Sequence, residues 1–87
     1  MNSREVIAKI ESLGGFYTRQ VGSHRRYAAT YTVVDDKGQP VLDDNGKPQT
    51  ATCYTTVQMH AGKDIPNGTL RSIQRQMEPA FGKGWLL

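Results

Sequence analysis

The sequence predicts an α+β domain in which two helices cover one face of an antiparallel three-stranded sheet. Three observations point to it. Apolar residues recur at helical spacing near both ends of the chain, at Val6, Ile10 and Leu13 and again at Leu70, Ile73 and Met77. Between them, residues 16–34 and 51–59 are rich in Tyr, Thr, Val and Ala in an alternating pattern that suits half-buried strands. With 87 residues, the chain has material for one modest core and a single domain over 1–87.

The first helix opens at Asn2, a capping residue, with Glu5 three residues later completing a capping-box pattern. Ile7 broadens its apolar stripe, while Arg4, Lys9, Glu11 and Ser12 fall mostly elsewhere. Gly14-Gly15 ends it, since glycine accepts the left-handed conformation at a helix terminus. Gly22-Ser23 splits the following β-like run, as a two-residue hairpin turn with glycine first. Val21 then faces His24 across the hairpin. Strict alternation puts Tyr17, Arg19, His24 and Arg26 on one face and Tyr27, Ala29, Tyr31 and Val33 on the core side. A third strand over about 51–59 turns Ala51, Cys53, Val57 and Met59 to the core. Thr52, Tyr54, Thr56, Gln58 and His60 then take the polar face, so both histidines point the same way.

The last helix is expected to begin near Pro66 and to end at Glu78-Pro79. The tail over 80–87 is apolar and loosened by glycine. It either folds back over the core or awaits a partner, and the sequence does not choose. Helix, three strands, helix is the connectivity of the double-stranded-RNA-binding domain, a sandwich with one open sheet face. Architecture alone supplies no function.

Between strands two and three lies a near-repeat of eight residues. Val33-Val34-Asp35-Asp36-Lys37-Gly38-Gln39-Pro40 is followed by Val41-Leu42-Asp43-Asp44-Asn45-Gly46-Lys47-Pro48. Each copy carries a turn signal closed by proline. Neither has the alternating carboxylates and distal glutamate of a calcium loop. Residues 33–50 are therefore expected to form an insertion, a protruding double turn.

Composition narrows the class. Hydrophobic residues at 37% and charged residues at 22% are ordinary for a globular domain. Cys53 is the only cysteine, so no internal disulfide can form and a reducing cytosol is the expected compartment. Met1 to Ile10 does not read as a signal peptide, and no segment approaches a membrane span, so a cytoplasmic protein without a membrane partner is expected. Two histidines and one cysteine without ligand spacing predict neither a metal site nor a cofactor. Ser23 has no recognisable acid partner for a triad. The formal charge of +3 hides an asymmetry: residues 33–50 carry a net −2, which leaves +5 on the rest of the chain. A basic body favours a polyanionic partner.

Three stretches resemble the HicA family of toxins. They are Asn2-Ser3-Arg4-Glu5-Val6-Ile7 and Arg19-Gln20-Val21-Gly22-Ser23-His24, with its Gly-Ser-His signature. The third is His60-Ala61-Gly62-Lys63-Asp64-Ile65-Pro66-Asn67-Gly68-Thr69-Leu70-Arg71-Ser72-Ile73. The resemblance implies a messenger-RNA-cleaving toxin of a type II toxin–antitoxin pair, on a double-stranded-RNA-binding-like fold, held inactive by a HicB antitoxin. It implies no direct DNA binding by the toxin alone. It maps the family's catalytic histidine onto His24. The sequence departs from the family in the 33–50 insertion and in a longer tail beyond Pro79.

Metal-free RNA cleavage needs a base for the 2′-hydroxyl proton, an acid for the leaving 5′-oxygen and positive charge for the phosphorane-like transition state. An ordinary histidine titrates near neutrality and serves either proton transfer. His24 is the candidate, beside a tight turn at Ser23 whose backbone amides suit a phosphate. Arg19, Arg26 and Lys63 are candidates for RNA binding and stabilising charge. By spacing alone, His24 reads as a surface histidine beside a turn; the resemblance makes it catalytic. His60 has two readings, a second proton-transfer group or a polar cap before Gly62. The second is favoured because the family's chemistry is attributed to one histidine. Two rival classes stand beside the enzyme: a non-catalytic RNA-binding module on the same fold, and an adaptor whose basic charge is incidental.

Overall fold

The capping box forms. In the computed structural model, which describes residues 1–60 and 62–87, Asn2 Oδ1 accepts the Glu5 amide at 2.9 Å. The Asn2 amide donates to Glu5 Oε1 at 3.0 Å. Two of the orphan donors of a helix start are thereby satisfied, and α1 runs Ser3–Ser12 with Val6, Ile7 and Ile10 buried. At its end the Gly15 amide returns to the Ile10 carbonyl at 2.8 Å. A Cβ on Gly15 would run into the Ile10 side chain and carbonyl, so glycine here permits a close approach.

Three antiparallel strands follow, β1 (Phe16–Val21), β2 (His24–Thr32) and β3 (Thr50–Gln58), in the spatial order β1-β2-β3. The β1–β2 turn has Gly22 at φ 58°, while no residue other than glycine takes a positive φ among those described. That pattern, positive φ at the first central position alone, matches the expected glycine-first hairpin turn. Val21 pairs with His24 as the hairpin requires.

One register expectation fails. Arg19 opposes Arg26, but Tyr17 opposes Tyr27, because the ladder shifts between Tyr17 and Arg19. An extra residue, Thr18, occupies this bulge, and its hydroxyl donates to the Arg26 carbonyl at 3.0 Å. A bulge breaks strict alternation and reverses the face of every residue beyond it. Tyr17 therefore leaves the face of Arg19, His24 and Arg26 and meets Tyr27 edge-on, with centroids 6.1 Å apart.

Residues of odd number on β2 and β3 face the helices. Tyr27, Ala29, Cys53 and Val57 join Val6, Ile7 and Ile10 of α1, Leu70, Ile73 and Met77 of α2 (Asn67–Phe81), and Trp85 in one core. Thr55 is the buried polar member on this face, and its hydroxyl donates to Gln76 Oε1 at 2.6 Å. Such pairing offsets the desolvation of a buried hydroxyl. Neither helix covers β1, all six residues of which are exposed.

Helix α2 does not stop at Glu78-Pro79. It runs on through Pro79 to Phe81, where the Gly82 amide bonds the Glu78 carbonyl at 2.8 Å. Proline removes one amide from the last turn, yet that turn is held by tertiary contact, for Phe81 packs edge-on against Trp85 at 5.0 Å. The tail folds back over the core. Trp85 Nε1 donates to the Gln74 carbonyl at 2.8 Å, and Gln74 Oε1 accepts the amides of Leu86 and Leu87.

The two eight-residue repeats fold alike. Asp35 Oδ1 accepts the amides of Lys37 and Gln39, and Asp43 Oδ1 accepts those of Asn45 and Lys47, all at 2.9 Å. These are Asx-type turns in which the carboxylate replaces backbone partners. Residues spaced by eight then close a ring of backbone bonds. The Val41 amide donates to the Val33 carbonyl, Gln49 to Val41, and Val33 to Gln49, at 2.8–2.9 Å.

Candidate active site

The open face of the sheet is read in rows across the strands. The first is Val21–His24–Gln58, the second Arg19–Arg26–Thr56, and the third Phe16–Ala28–Tyr54. His24 sits at the first position of β2, directly after the turn, where the chain's change of direction leaves its imidazole exposed. The turn is braced from both sides. Gln20 Nε2 donates to the Gly22 carbonyl at 2.8 Å, and the Ser23 carbonyl accepts the Met59 amide at 2.7 Å. Ser23 itself is exposed in the turn.

His24, Arg19, Arg26, Val21 and Thr56 line one cavity of about 190 Å³. Arg19 and Arg26 are direct cross-strand partners. Like charges placed opposite one another destabilise a sheet by about 0.2–1 kcal/mol. None of the five lining residues carries a carboxylate, and neither arginine forms an ion pair among the described residues. Arg26 is relieved on one side only, by lying 4.3 Å over the centroid of the Tyr54 ring. The cavity is therefore lined by two arginines and a histidine, a set that suits a phosphate and a proton transfer.

Not every candidate residue gathers there. His60 and Lys63 line a separate cavity of about 120 Å³ with Gln58, Asp64, Ile65, Pro66 and Thr69. The loop that carries them is tied to the start of α1, where the Ile65 amide bonds the Met1 carbonyl at 2.7 Å. Ala61, inside the third family-like stretch, lies outside the described residues. Gln58 links the two places, being the cross-strand partner of His24 and a wall of the His60 cavity. Arg25, which the sequence left unassigned, faces away and donates to Gln20 Oε1 at 2.8 Å.

Tyr54, Thr56 and Gln58 were not among the candidate site residues. Their even parity on β3 carried the signal, but only the pairing register with β2 shows which open-face row each one joins. Cys53 is buried, and desolvation pushes its thiol above the usual range. That suits a core residue and not a nucleophile. Among the described residues, no three His, Cys, Asp or Glu side chains come together. No helix is long and apolar enough to cross a membrane among those residues.

Fold and cavity together define a small α+β domain, two helices on one face of an antiparallel sheet, with a histidine beside a cross-strand pair of arginines on the other. The family model described as HicA toxin of bacterial toxin-antitoxin matches residues 3–78, nearly the whole chain. The chain belongs to the HicA toxin family, whose members act within a toxin–antitoxin pair, which implies an antitoxin partner. No curated protein and no solved structure matches it significantly.

Proposed function

We propose that the protein is a metal-independent endoribonuclease that cleaves messenger RNA in the cytoplasm and is silenced by a HicB-type antitoxin. One observation carries the reading: the exposed His24 shares a cavity with two cross-strand arginines that have no carboxylate partner among the described residues. A pair of facing arginines weakens the fold unless an anion lies between them.

In the reaction, the 2′-hydroxyl loses its proton and its oxygen attacks the adjacent phosphorus. The P–O5′ bond breaks, the 5′-oxygen takes a proton, and a 2′,3′-cyclic phosphate remains. His24 performs proton transfer at the attacking or leaving oxygen, and Arg19 and Arg26 neutralise the charge that builds on the phosphoryl oxygens. Ser23 and its turn stand beside the phosphate. Lys63 and His60, in their own cavity, extend the basic track past Gln58, with His60 a contact and not the second proton-transfer group.

The test is a cleavage assay in excess chelator. Wild-type protein is expected to cut RNA, to leave an RNA with 2′-deoxyribose at the cut position intact, and to lose activity in His24→Ala. Undiminished cutting by His24→Ala removes that residue from the mechanism. Tight RNA binding with no turnover makes the protein a binding module instead. The antitoxin is expected to bury His24 and to set acidic or apolar groups against Arg19 and Arg26, where charge pairing also speeds association. A complex that leaves His24 open to solvent rejects masking.

A further inference from the structure

Beyond Arg26 a second opening lies at the free edge of β3, between the open face of the sheet and α2. Arg26 and Thr56, which wall the His24 cavity, also wall this opening of about 350 Å³. Its other sides include Tyr54 on β3 and Thr69, Ser72 and Gln76 on α2. The size falls within the ~300–1,000 Å³ of small-molecule sites. We propose that this opening is a nucleobase subsite that takes the unpaired base next to the phosphate at His24, so that the substrate is single-stranded there. The inference rests on the endoribonuclease reading and adds to it a substrate class and a specificity residue, Tyr54.

The chemistry of the walls matches a base. Tyr54 is 46% exposed on the open face, with Ala28, buried beside it, as its cross-strand partner. Its ring already carries a planar group, the Arg26 guanidinium at 4.3 Å. Aromatic rings and guanidinium planes are the surfaces on which single-stranded bases stack. When a phosphate enters between Arg19 and Arg26, the guanidinium turns to it and the base takes its place over Tyr54. Successive same-face positions on a strand are about 6.6 Å apart. A phosphate held between the His24 and Arg26 rows is thus one nucleotide's reach from Tyr54.

The far wall supplies polar partners for a base edge. The hydroxyls of Thr56, Thr69 and Ser72 serve as donors or acceptors. Gln76 Oε1 is taken by the Thr55 hydroxyl, which leaves the Gln76 amide nitrogen with donors to give. The same wall argues for a single strand. A base already paired to a complement would bring that partner against α2, where Thr69, Ser72 and Gln76 stand.

The experiment uses a short single-stranded RNA with one cleaved bond, the same RNA made abasic on one side of that bond or the other, and the RNA annealed to its complement. Tyr54→Ala should lower kcat/KM by between about 5- and 150-fold, the effect of losing one base–aromatic stack. Tyr54→Phe should retain activity, since the ring is kept. One of the two abasic RNAs should be cut more slowly by wild type by a similar factor, and no more slowly still by Tyr54→Ala. The annealed RNA should be cut poorly. Equal rates for wild type and Tyr54→Ala, an abasic loss of equal size in both, or equal cutting of the duplex overturn the subsite. A binding arm separates the two readings: 2-aminopurine at the identified position should be quenched by His24→Ala and not by His24→Ala/Tyr54→Ala. Tyr54-dependent quenching without cleavage by wild type sinks the endoribonuclease and leaves the subsite. Cleavage without any dependence on Tyr54 sinks the subsite alone.

Discussion

Arg19 and Arg26 set stability against function within one cross-strand pair. Replacing Arg19 with Gln removes the like-charge contact and should raise stability at low salt by a few tenths of a kcal/mol, up to about 1. The same change should weaken RNA binding by the His24→Ala protein and shallow its salt dependence by roughly one phosphate contact. Denaturant melts and a salt titration read the two effects separately. A variant that binds RNA as before would show that Arg19 faces no phosphate. His24→Ala, by contrast, alters an exposed side chain, and its melting should stay within about 0.5 kcal/mol of wild type. Cys53 marks the opposite environment. Burial disfavours its thiolate, so alkylation of the native protein near neutral pH should be slow and should become fast on unfolding. Rapid native alkylation would mean that the β3 core opens readily.

At the scale of elements, propensity and patterning were legible wherever a short-range rule decided the outcome. The Asn2–Glu5 box, the Gly22 turn and the core parity of Cys53 and Val57 each depend on residues within a few positions. What stayed hidden depends on contacts between distant segments. Thr18 bulges out of β1 because its hydroxyl bonds the Arg26 carbonyl across the ladder, and no local pattern announces that. Pro79 reads as a stop, yet Trp85, brought back by the tail, packs on Phe81 and holds a further turn. The site divides along the same line. Alternation placed His24 and Arg26 together, whereas the separation of His60 and Lys63 follows from a loop anchored to α1. Two stability predictions belong here. Asn2→Ala should cost about 1 kcal/mol through the lost cap. Pro79→Ala should stabilise α2 by on the order of 1 kcal/mol, because an amide returns to the last turn. No gain from Pro79→Ala would mean that the tail, not the backbone ladder, sets the end of the helix.

At the scale of the whole molecule, the long axis is 48 Å against 24 and 19 Å, and the radius of gyration is 14.5 Å. A compact chain of this length is expected near 12 Å. The elongation reflects the double turn, which exposes Val34 and Leu42 at the bases of its two turns and carries the acidic residues of the −2 segment. Its order is internal: two Asx-type turns and the ring through Val33, Val41 and Gln49 are made almost wholly among its own residues. It adds nothing to the main core. The last bond of that ring, Val33 to Gln49, continues the β2–β3 ladder, so a short turn can close the hairpin just beyond it. Replacing residues 35–48 with a brief Gly-containing turn should therefore leave a folded protein that still cuts RNA, since shortening such a connection changes loop entropy only slightly. Binding to the antitoxin should weaken if exposed Val34 and Leu42 are recognised. Melting, cleavage and antitoxin affinity of the shortened chain are the three readouts. Unfolding would assign the insertion to the core sheet. Loss of cleavage in a folded protein would place these carboxylates beside the RNA, where their charge opposes binding.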